Sequence, residues 1–323
     1  ATAKVAFILF GFGQQALLPA ILGKDGYGAI SVPFAIAGIV NNVIVALSIQ
    51  GVSRTVSGAP EAEADTSFRL TLVYHAVVAA AVALVFGASA GLIARLESAP
   101  HVAPALRVMA GVVFLYGIYA PLVGALNGKR KFGAQAGLDI LYGGIRFAAV
   151  VGGAVVATRV LHASGVMGGV VGFVLAAALI VPVAITRSGI GRAGGSTPTA
   201  RSYFGFLAPL AFGLVSLNLL LQTDFLFFSH FAGEKAATAE AADGIRGVYR
   251  AFQLFSFLPY QLLMSVTFVL FPLLAKAHAE RDREAVKRYT ETGMRLALVL
   301  VGLFVGIVAA IPYPLLRCAF KDP

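Results

Sequence analysis

Long apolar runs, each about the length of a membrane-spanning helix, follow one another through the sequence. A helix needs about 20 predominantly apolar residues to cross the hydrocarbon core of a bilayer. Nine runs meet this requirement: 5–22, 30–52, 70–94, 106–126, 133–157, 164–186, 203–231, 249–275 and 291–311. Only 12% of the residues are charged, about half the fraction in a soluble domain, so too few charges exist to cover a water-facing surface. The sequence predicts an all-α fold, a multi-pass transmembrane bundle of about nine helices.

The basic residues are concentrated in alternate loops. Thirteen Lys and Arg residues lie in the loops after the even-numbered runs, and seven lie in the loops after the odd-numbered runs or at the adjoining start of the next run. Because cytoplasmic loops carry an excess of Lys and Arg, we predict a cytoplasmic N-terminus. The net charge of +10 then anchors the chain to anionic membrane lipid, and nucleic acid is not an expected partner.

Two charged loops of similar composition, 54–69 and 276–288, follow the second and eighth runs. Each is preceded by two apolar runs and followed by a third. Internal repeats are common in transporters, with the substrate path between the halves. We therefore predict a six-helix N-terminal lobe in residues 1–190 and the first three helices of a truncated C-terminal lobe in residues 200–323.

Motifs for cofactors and for catalysis are missing from the sequence. The single cysteine, Cys318, excludes an intramolecular disulfide and a cysteine-rich metal site. No P-loop or Rossmann glycine pattern occurs, and the five histidines are scattered. A membrane-embedded glycosyltransferase or acyltransferase would need a catalytic His or paired carboxylates near a membrane face, and neither is found. The sequence predicts no enzyme activity, catalytic residue, metal or cofactor, and it leaves H⁺ or Na⁺ open as the coupling ion.

The fifth run contains charges near its middle. Asp139, Tyr142 and Arg146 share one helix face, because they are separated by three and four residues. A charge at the centre of a bilayer costs about 2.5–3.5 kcal/mol on insertion scales, so such residues usually face a water-filled cavity. We predict that Arg146 meets an anionic substrate group there, with Asp139 as its resting partner. A structural ion pair between helices is the alternative.

Polar residues repeat this spacing at the outer start of the eighth run. Arg246, Arg250 and Gln253 lie on one face, and two arginines at a helix N-terminus oppose its dipole. An anionic partner would offset this, either a substrate diphosphate, a lipid phosphate or a nearby carboxylate. Simple extension of the side chains to lipid headgroups is the alternative.

Three further polar residues complete the predicted substrate contacts. Asp224 in the seventh run is a candidate for a coupling proton or Na⁺, or for a structural pair. Gln50 and Arg54 share a face at the inner end of the second run and are placed to meet a substrate headgroup on entry. For Arg54, anchoring to cytoplasmic lipid is the alternative.

Four short motifs occur in order along the chain. They are LGKDGYG at 22–28, LNGKRKF at 126–132, NLLLQTD at 218–224, and a segment from Gly247 through Pro259 to Pro272. In their order and spacing they resemble the polysaccharide-transport branch of the multidrug/oligosaccharidyl-lipid/polysaccharide exporter superfamily. Members of that family have twelve to fourteen helices in two lobes, so the resemblance implies a fragment that lacks the C-terminal helices.

The resemblance also implies a function. It implies flipping of an undecaprenyl-diphosphate-linked oligosaccharide to the periplasmic leaflet by alternating access, for a surface polysaccharide such as an O-antigen of lipopolysaccharide or an exopolysaccharide. The expected location is the bacterial cytoplasmic (inner) membrane. The expected partners are the lipid-linked oligosaccharide, membrane lipid and, from the same pathway, glycosyltransferases and a polysaccharide polymerase.

Two alternatives within the superfamily remain. A cation-coupled multidrug exporter would favour acidic residues in its cavity, whereas Arg146, Arg246 and Arg250 favour an anionic substrate. A peptidoglycan-precursor flippase handles a similar lipid diphosphate and stays open.

Overall fold

Every regular element in the described part of the chain is helical. The computed structural model describes residues 2–194, 197–311, 313, 314 and 317, without the side chains of 2–5, 7, 8 and most of those in 256–279. The eight α-helices are Thr2–Gly58 (α1), Ala64–Leu96 (α2), Ala103–Gly128 (α3), Phe132–Arg159 (α4), Gly165–Ser188 (α5), Ala200–Lys235 (α6), Ala239–Ala279 (α7) and Arg283–Ala310 (α8). One 3₁₀ turn, Pro100–Val102, precedes α3.

Helix α1 contains the first two predicted spans, so the structure has eight helices where the sequence predicts about nine. The helix breaks at Gly23, which has φ 70° and ψ 178°, a conformation that glycine adopts at little cost. The Tyr27 hydroxyl donates to Oε1 of Gln15 over 3.0 Å, although residues twelve apart lie about 18 Å apart along a straight helix. The chain therefore turns back at Gly23. The predicted count is too high because this turn needs no separate loop.

The other seven predicted spans each coincide with one helix, α2 to α8, and none extends more than one residue beyond it. Among the described residues, seven helices are long and apolar enough to cross a membrane. Large apolar side chains on their outer faces are exposed, including Leu84, Phe212 and Leu298. Such a surface suits contact with lipid better than contact with water. The prediction of a multi-pass helical membrane protein is confirmed.

The core of the bundle surrounds α3. Leu106, Met109 and Val112 are fully buried, and α3 packs against α1, α2 and α5. Helices α4 and α5 approach each other closely, since a Cβ added to Gly153 would collide with the carbonyl oxygen of Gly168. Small residues at such crossings let backbones make direct van der Waals contact in lipid.

The chain forms two compact units, Ala1–Gly247 and Val248–Pro323. In the first unit the connections between helices alternate between two ends. The basic end contains the connections 59–63 and 129–131 and the connecting residues 189–194 and 197–199. The opposite end contains Gly23 and the connections 97–102, 160–164 and 236–238. The predicted lobes of residues 1–190 and 200–323 stay a prediction.

Candidate substrate-binding site

Arg146 lies near the middle of α4, inside a group of tyrosines. The hydroxyls of Tyr116 on α3 and Tyr142 on α4 form a hydrogen bond with each other, and both interact with the Arg146 guanidinium. The guanidinium carbon lies 5.6 Å from the centre of the Phe173 ring on α5. The Tyr119 ring centre lies 5.5 Å from that of Tyr142. We call these five residues the tyrosine–arginine cluster.

The cluster provides a cation and hydroxyl groups in an apolar interior. Tyr119 is 7% exposed, and its hydroxyl has no hydrogen-bond partner among the described residues. The guanidinium also borders α1, because a Cβ added to Gly11 would lie 3.8 Å from Nη2 of Arg146. Guanidinium and hydroxyl donors together suit phosphate oxygens, since Arg forms strong charge-assisted hydrogen bonds to phosphate. The cluster can therefore bind an anionic group at mid-helix.

The structure brings together only part of the predicted site on α4. Tyr142 and Arg146 meet, as their shared face predicts. Asp139 lies about one helical turn before Tyr142 and is partly exposed. Its charge acts on the Tyr119 hydroxyl. The pairing of Asp139 with Arg146 stays a prediction.

Arg246 lies in a separate network at the opposite end. Its side chain is fully buried. Nη1 donates to Oδ1 of Asp243 over 2.8 Å, Nε donates to Oγ of Ser229 over 3.0 Å, and Nη2 donates to the carbonyl oxygens of Glu97 and Ser98 over 3.0 and 3.3 Å. Arg246 thus joins α6 and α7 to the connection between α2 and α3. Of the predicted anionic partners, a carboxylate of the protein, that of Asp243, pairs with this guanidinium.

Two acidic groups surround this arginine. Oδ2 of Asp243 lies 2.7 Å from Nε2 of His101. Burial raises the pKa of the Glu97 carboxyl above its usual value, and a hydrogen bond with Ser229 and the charge of Arg246 act against that rise. The network therefore contains its own countercharges. This geometry favours a structural role for Arg246, and its contact with a substrate stays a prediction.

The family of the chain follows from its sequence as a whole. Residues 17–318 match the model of a family described as "Polysaccharide biosynthesis protein". The chain belongs to this family. No curated protein sequence matches it significantly.

Solved transporter structures share the fold of this family member. An inward-facing multidrug resistance MATE transporter of the MOP superfamily is 13% identical, with a TM-score of 0.73 over 97% of this chain and 72% of that one. The lipid II flippase MurJ, in an inward closed conformation, is 15% identical, with a TM-score of 0.68 over 93% of this chain and 62% of that one. A MOP superfamily transporter from Pyrococcus furiosus is 14% identical, with a TM-score of 0.64 over 99% and 74%.

These likenesses confirm the resemblance to the polysaccharide-transport branch of the MOP superfamily. The matched structures are of transporters and a flippase, so the chain shares the fold of transport proteins. Within the described residues, no group of three His, Cys, Asp or Glu side chains is arranged to hold a metal ion.

The remaining predicted contacts of the family member lie in several places. In the second unit, Nη1 of Arg250 donates to Oε1 of Gln253 over 2.7 Å, as their shared face predicts. Asp224 and Gln50 are exposed. The guanidinium carbon of Arg54 lies 3.8 Å from the centre of the Phe206 ring at the basic end. The role of these five polar residues in substrate binding stays a prediction.

Sequence reasoning missed Tyr116 and Tyr119. Both lie on α3 with the i, i+3 spacing that places two side chains on one helix face. This spacing was the available signal, because phenol groups in an apolar run need polar partners when buried. The partner helix could not be chosen from the sequence, since Tyr116 and Tyr142 are far apart along the chain.

Proposed function

We propose that this protein is a flippase for a lipid-linked oligosaccharide. It moves an undecaprenyl-diphosphate-linked glycan from the cytoplasmic to the periplasmic leaflet of the bacterial inner membrane, with its N-terminus in the cytoplasm. Transport proceeds by alternating access without covalent chemistry, driven by H⁺ or Na⁺. Glycosyltransferases that build the glycan and a polymerase that uses it are the expected pathway partners.

The observation that carries this proposal is the position of Arg146 among three tyrosines near the middle of α4. A cation inside an apolar bundle is costly unless it serves a ligand or has a countercharge. A lipid diphosphate supplies negative charge and acceptor oxygens for both the guanidinium and the phenol hydroxyls. Membership of a polysaccharide biosynthesis family supports a glycan on that diphosphate.

The polarity of the cluster helps to separate the candidates within this fold. A multidrug exporter that carries cations would gain nothing from an arginine at the binding site, whereas an anionic carrier lipid would. The Pyrococcus furiosus transporter is described as having a binding pocket of reverse polarity that suggests a different function. That description links the charge of a pocket to function on this fold. A peptidoglycan-precursor flippase stays a second candidate, because it would differ only in its glycan.

The test is Arg146→Ala in the full-length protein, in cells that need it for surface polysaccharide. Loss of a charge-assisted hydrogen bond costs about 1.5–3 kcal/mol, so we expect glycan export to fall about tenfold or more. Membrane insertion should persist, because Tyr116 and Tyr142 remain bonded to each other. Arg159→Ala, at the exposed end of the same helix, is the matched control and should export normally. Normal surface polysaccharide in Arg146→Ala would overturn the proposal.

A further inference from the structure

A cavity of about 330 Å³ lies at the basic end, apart from the tyrosine–arginine cluster. Ligand pockets begin at about this size. Its walls are the last turns of α1, the connection to α2 with the first turn of that helix, and the start of α6 with the residues before it. The polar side chains that line it belong to Arg54, Thr55, Glu63, Ser67, Thr197, Ser202 and Tyr203.

The walls of this basic-end cavity are rigid on the Tyr203 side. The Tyr203 hydroxyl lies 2.7 Å from Nε2 of His75, and Nδ1 of His75 lies 3.0 Å from the Ser48 hydroxyl. All three side chains are buried. A chain of hydrogen bonds through α1, α2 and α6 therefore fixes the phenol at the wall of the cavity, which lowers the entropy cost of binding.

One wall residue is left with an unused polar group. Ser67 is 2% exposed, and no described residue makes a hydrogen bond to its hydroxyl, although its carbonyl oxygen accepts from Thr71. Because Ser67 lines the cavity, its hydroxyl can donate to or accept from a ligand there.

The cavity contains one cationic and one anionic side chain, and this pair restricts the charge of a ligand that can bind there. Arg54 stacks on the Phe206 ring, and Glu63 brings a carboxylate to the same cavity. A phosphate would be repelled by Glu63, and an organic cation would be repelled by Arg54. A neutral molecule with several hydroxyls suits both, because its hydroxyls accept from a guanidinium and donate to a carboxylate. The Phe206 and Tyr203 rings offer apolar faces for the C–H side of such a molecule.

We propose that the basic-end cavity binds a sugar ring. Arg54, Glu63 and Ser67 make the hydrogen bonds, and the aromatic rings cover one face of the sugar. That this sugar is a unit of the transported glycan, met on the cytoplasmic side before transport, rests on the proposed function. Sugar binding itself does not.

The lack of tryptophan in the sequence makes a direct assay available. Phe206→Trp places a single tryptophan in the cavity and keeps a ring under Arg54, since indole is the best cation–π partner. Titration of the purified full chain with neutral hexoses and N-acetylhexosamines should give a saturable fluorescence change for at least one sugar. Phe212→Trp, on the same helix and 77% exposed, should show no such change.

Substitutions then test the assigned contacts. Arg54→Ala and Glu63→Gln should each weaken binding of that sugar about tenfold, the effect of about 1.4 kcal/mol. Arg201→Ala and Glu61→Gln, which are exposed neighbours outside the cavity, should bind as the parent does. Calorimetry on the chain without the added tryptophan gives an independent measurement.

Three results would overturn this inference: no saturable response to any sugar by both methods, a response to inorganic phosphate or phosphatidylglycerol vesicles alone, or equal loss in the controls. The outcome is separable from the proposed function. If Arg146→Ala exports normally while sugars bind, only the proposed function fails. If sugars do not bind while Arg146→Ala abolishes export, only the sugar site fails.

Discussion

At the scale of single residues, two arginines of the helical bundle have different surroundings, and Arg246 is the fully buried one. Arg246 donates from all three guanidinium nitrogens to the protein, and its main countercharge, Asp243, is also buried. Arg146 meets phenol hydroxyls, which carry no full negative charge. The residue type and its place in an apolar run are therefore insufficient to predict which groups surround a guanidinium. The acceptors that the fold brings to it decide its role.

The structural role of Arg246 predicts a large effect on stability. Arg246→Ala leaves Asp243 buried without its cation, a change that costs about 3–5 kcal/mol in comparable buried pairs. We expect a clear fall in the melting temperature of the detergent-solubilised protein. Arg95→Ala, at the exposed end of α2, should melt like the parent.

The double variant Arg246→Ala/Asp243→Asn tests the cause of that loss. Because the amide removes the uncompensated charge, it should regain part of the lost stability. An unchanged melting temperature in Arg246→Ala, or no recovery in the double variant, would contradict the ion-pair explanation.

The sequence predicted two of the five residues of the tyrosine–arginine cluster. The spacing of Tyr142 and Arg146 on one helix is enough to place them on one face. Tyr116 and Tyr119 join them through packing of α3 against α4, and such contacts between distant residues depend on the crossing of two helices. For the same reason the sequence could not reveal that Ser229 and the carbonyl oxygens of Glu97 and Ser98 surround Arg246.

At the scale of helices, apolar length fixes where each element lies and glycine fixes how closely elements approach. The nine runs located every helix, because length and hydropathy suffice for a membrane span. The gap between the runs 5–22 and 30–52 also located the first turn correctly, but the sharpness of that turn depends on the positive φ of Gly23. Glycine positions that allow close packing, such as Gly153 against Gly168, could not be separated by sequence from those that face open space.

Two adjacent glycines on α4, Gly152 and Gly153, allow a test of how closely α4 and α5 pack. In Gly153→Ala the added methyl group meets the Gly168 carbonyl, so the helices must separate, at a cost of about 1–3 kcal/mol. A Cβ on Gly152 meets no atom within 4 Å, and alanine there gains up to about 1 kcal/mol in helix propensity. Thermal melting should therefore fall for Gly153→Ala and stay equal or rise for Gly152→Ala. Equal effects would show that the α4–α5 approach is looser than described.

At the scale of the whole molecule, alternating access requires that each end of the bundle opens in turn. The end that lies opposite the basic end and contains Gly23 is closed where α1 meets the first turns of α7. A Cβ on Gly28 would collide with the Asp243 carbonyl, and one on Gly247 would collide with the Lys24 carbonyl. The backbones touch there, so no substrate passes between them in this conformation. If the protein is a flippase, this contact must break during each transport cycle.

A reversible crosslink tests this requirement. A Cβ on Gly244 would lie 2.7 Å from Oδ1 of Asp25, so cysteines at these two positions are within reach of a disulfide. Replacement of Cys318, the single native cysteine, by serine removes competing thiols. Oxidation of Asp25→Cys/Gly244→Cys should stop glycan export, and a reductant should restore it, because the bond holds α1 against α7. Each single-cysteine variant should export under both conditions. Continued export by a protein shown to be fully crosslinked would mean that the substrate does not leave by separation of α1 from α7, and the exit path would then have to lie elsewhere in the bundle.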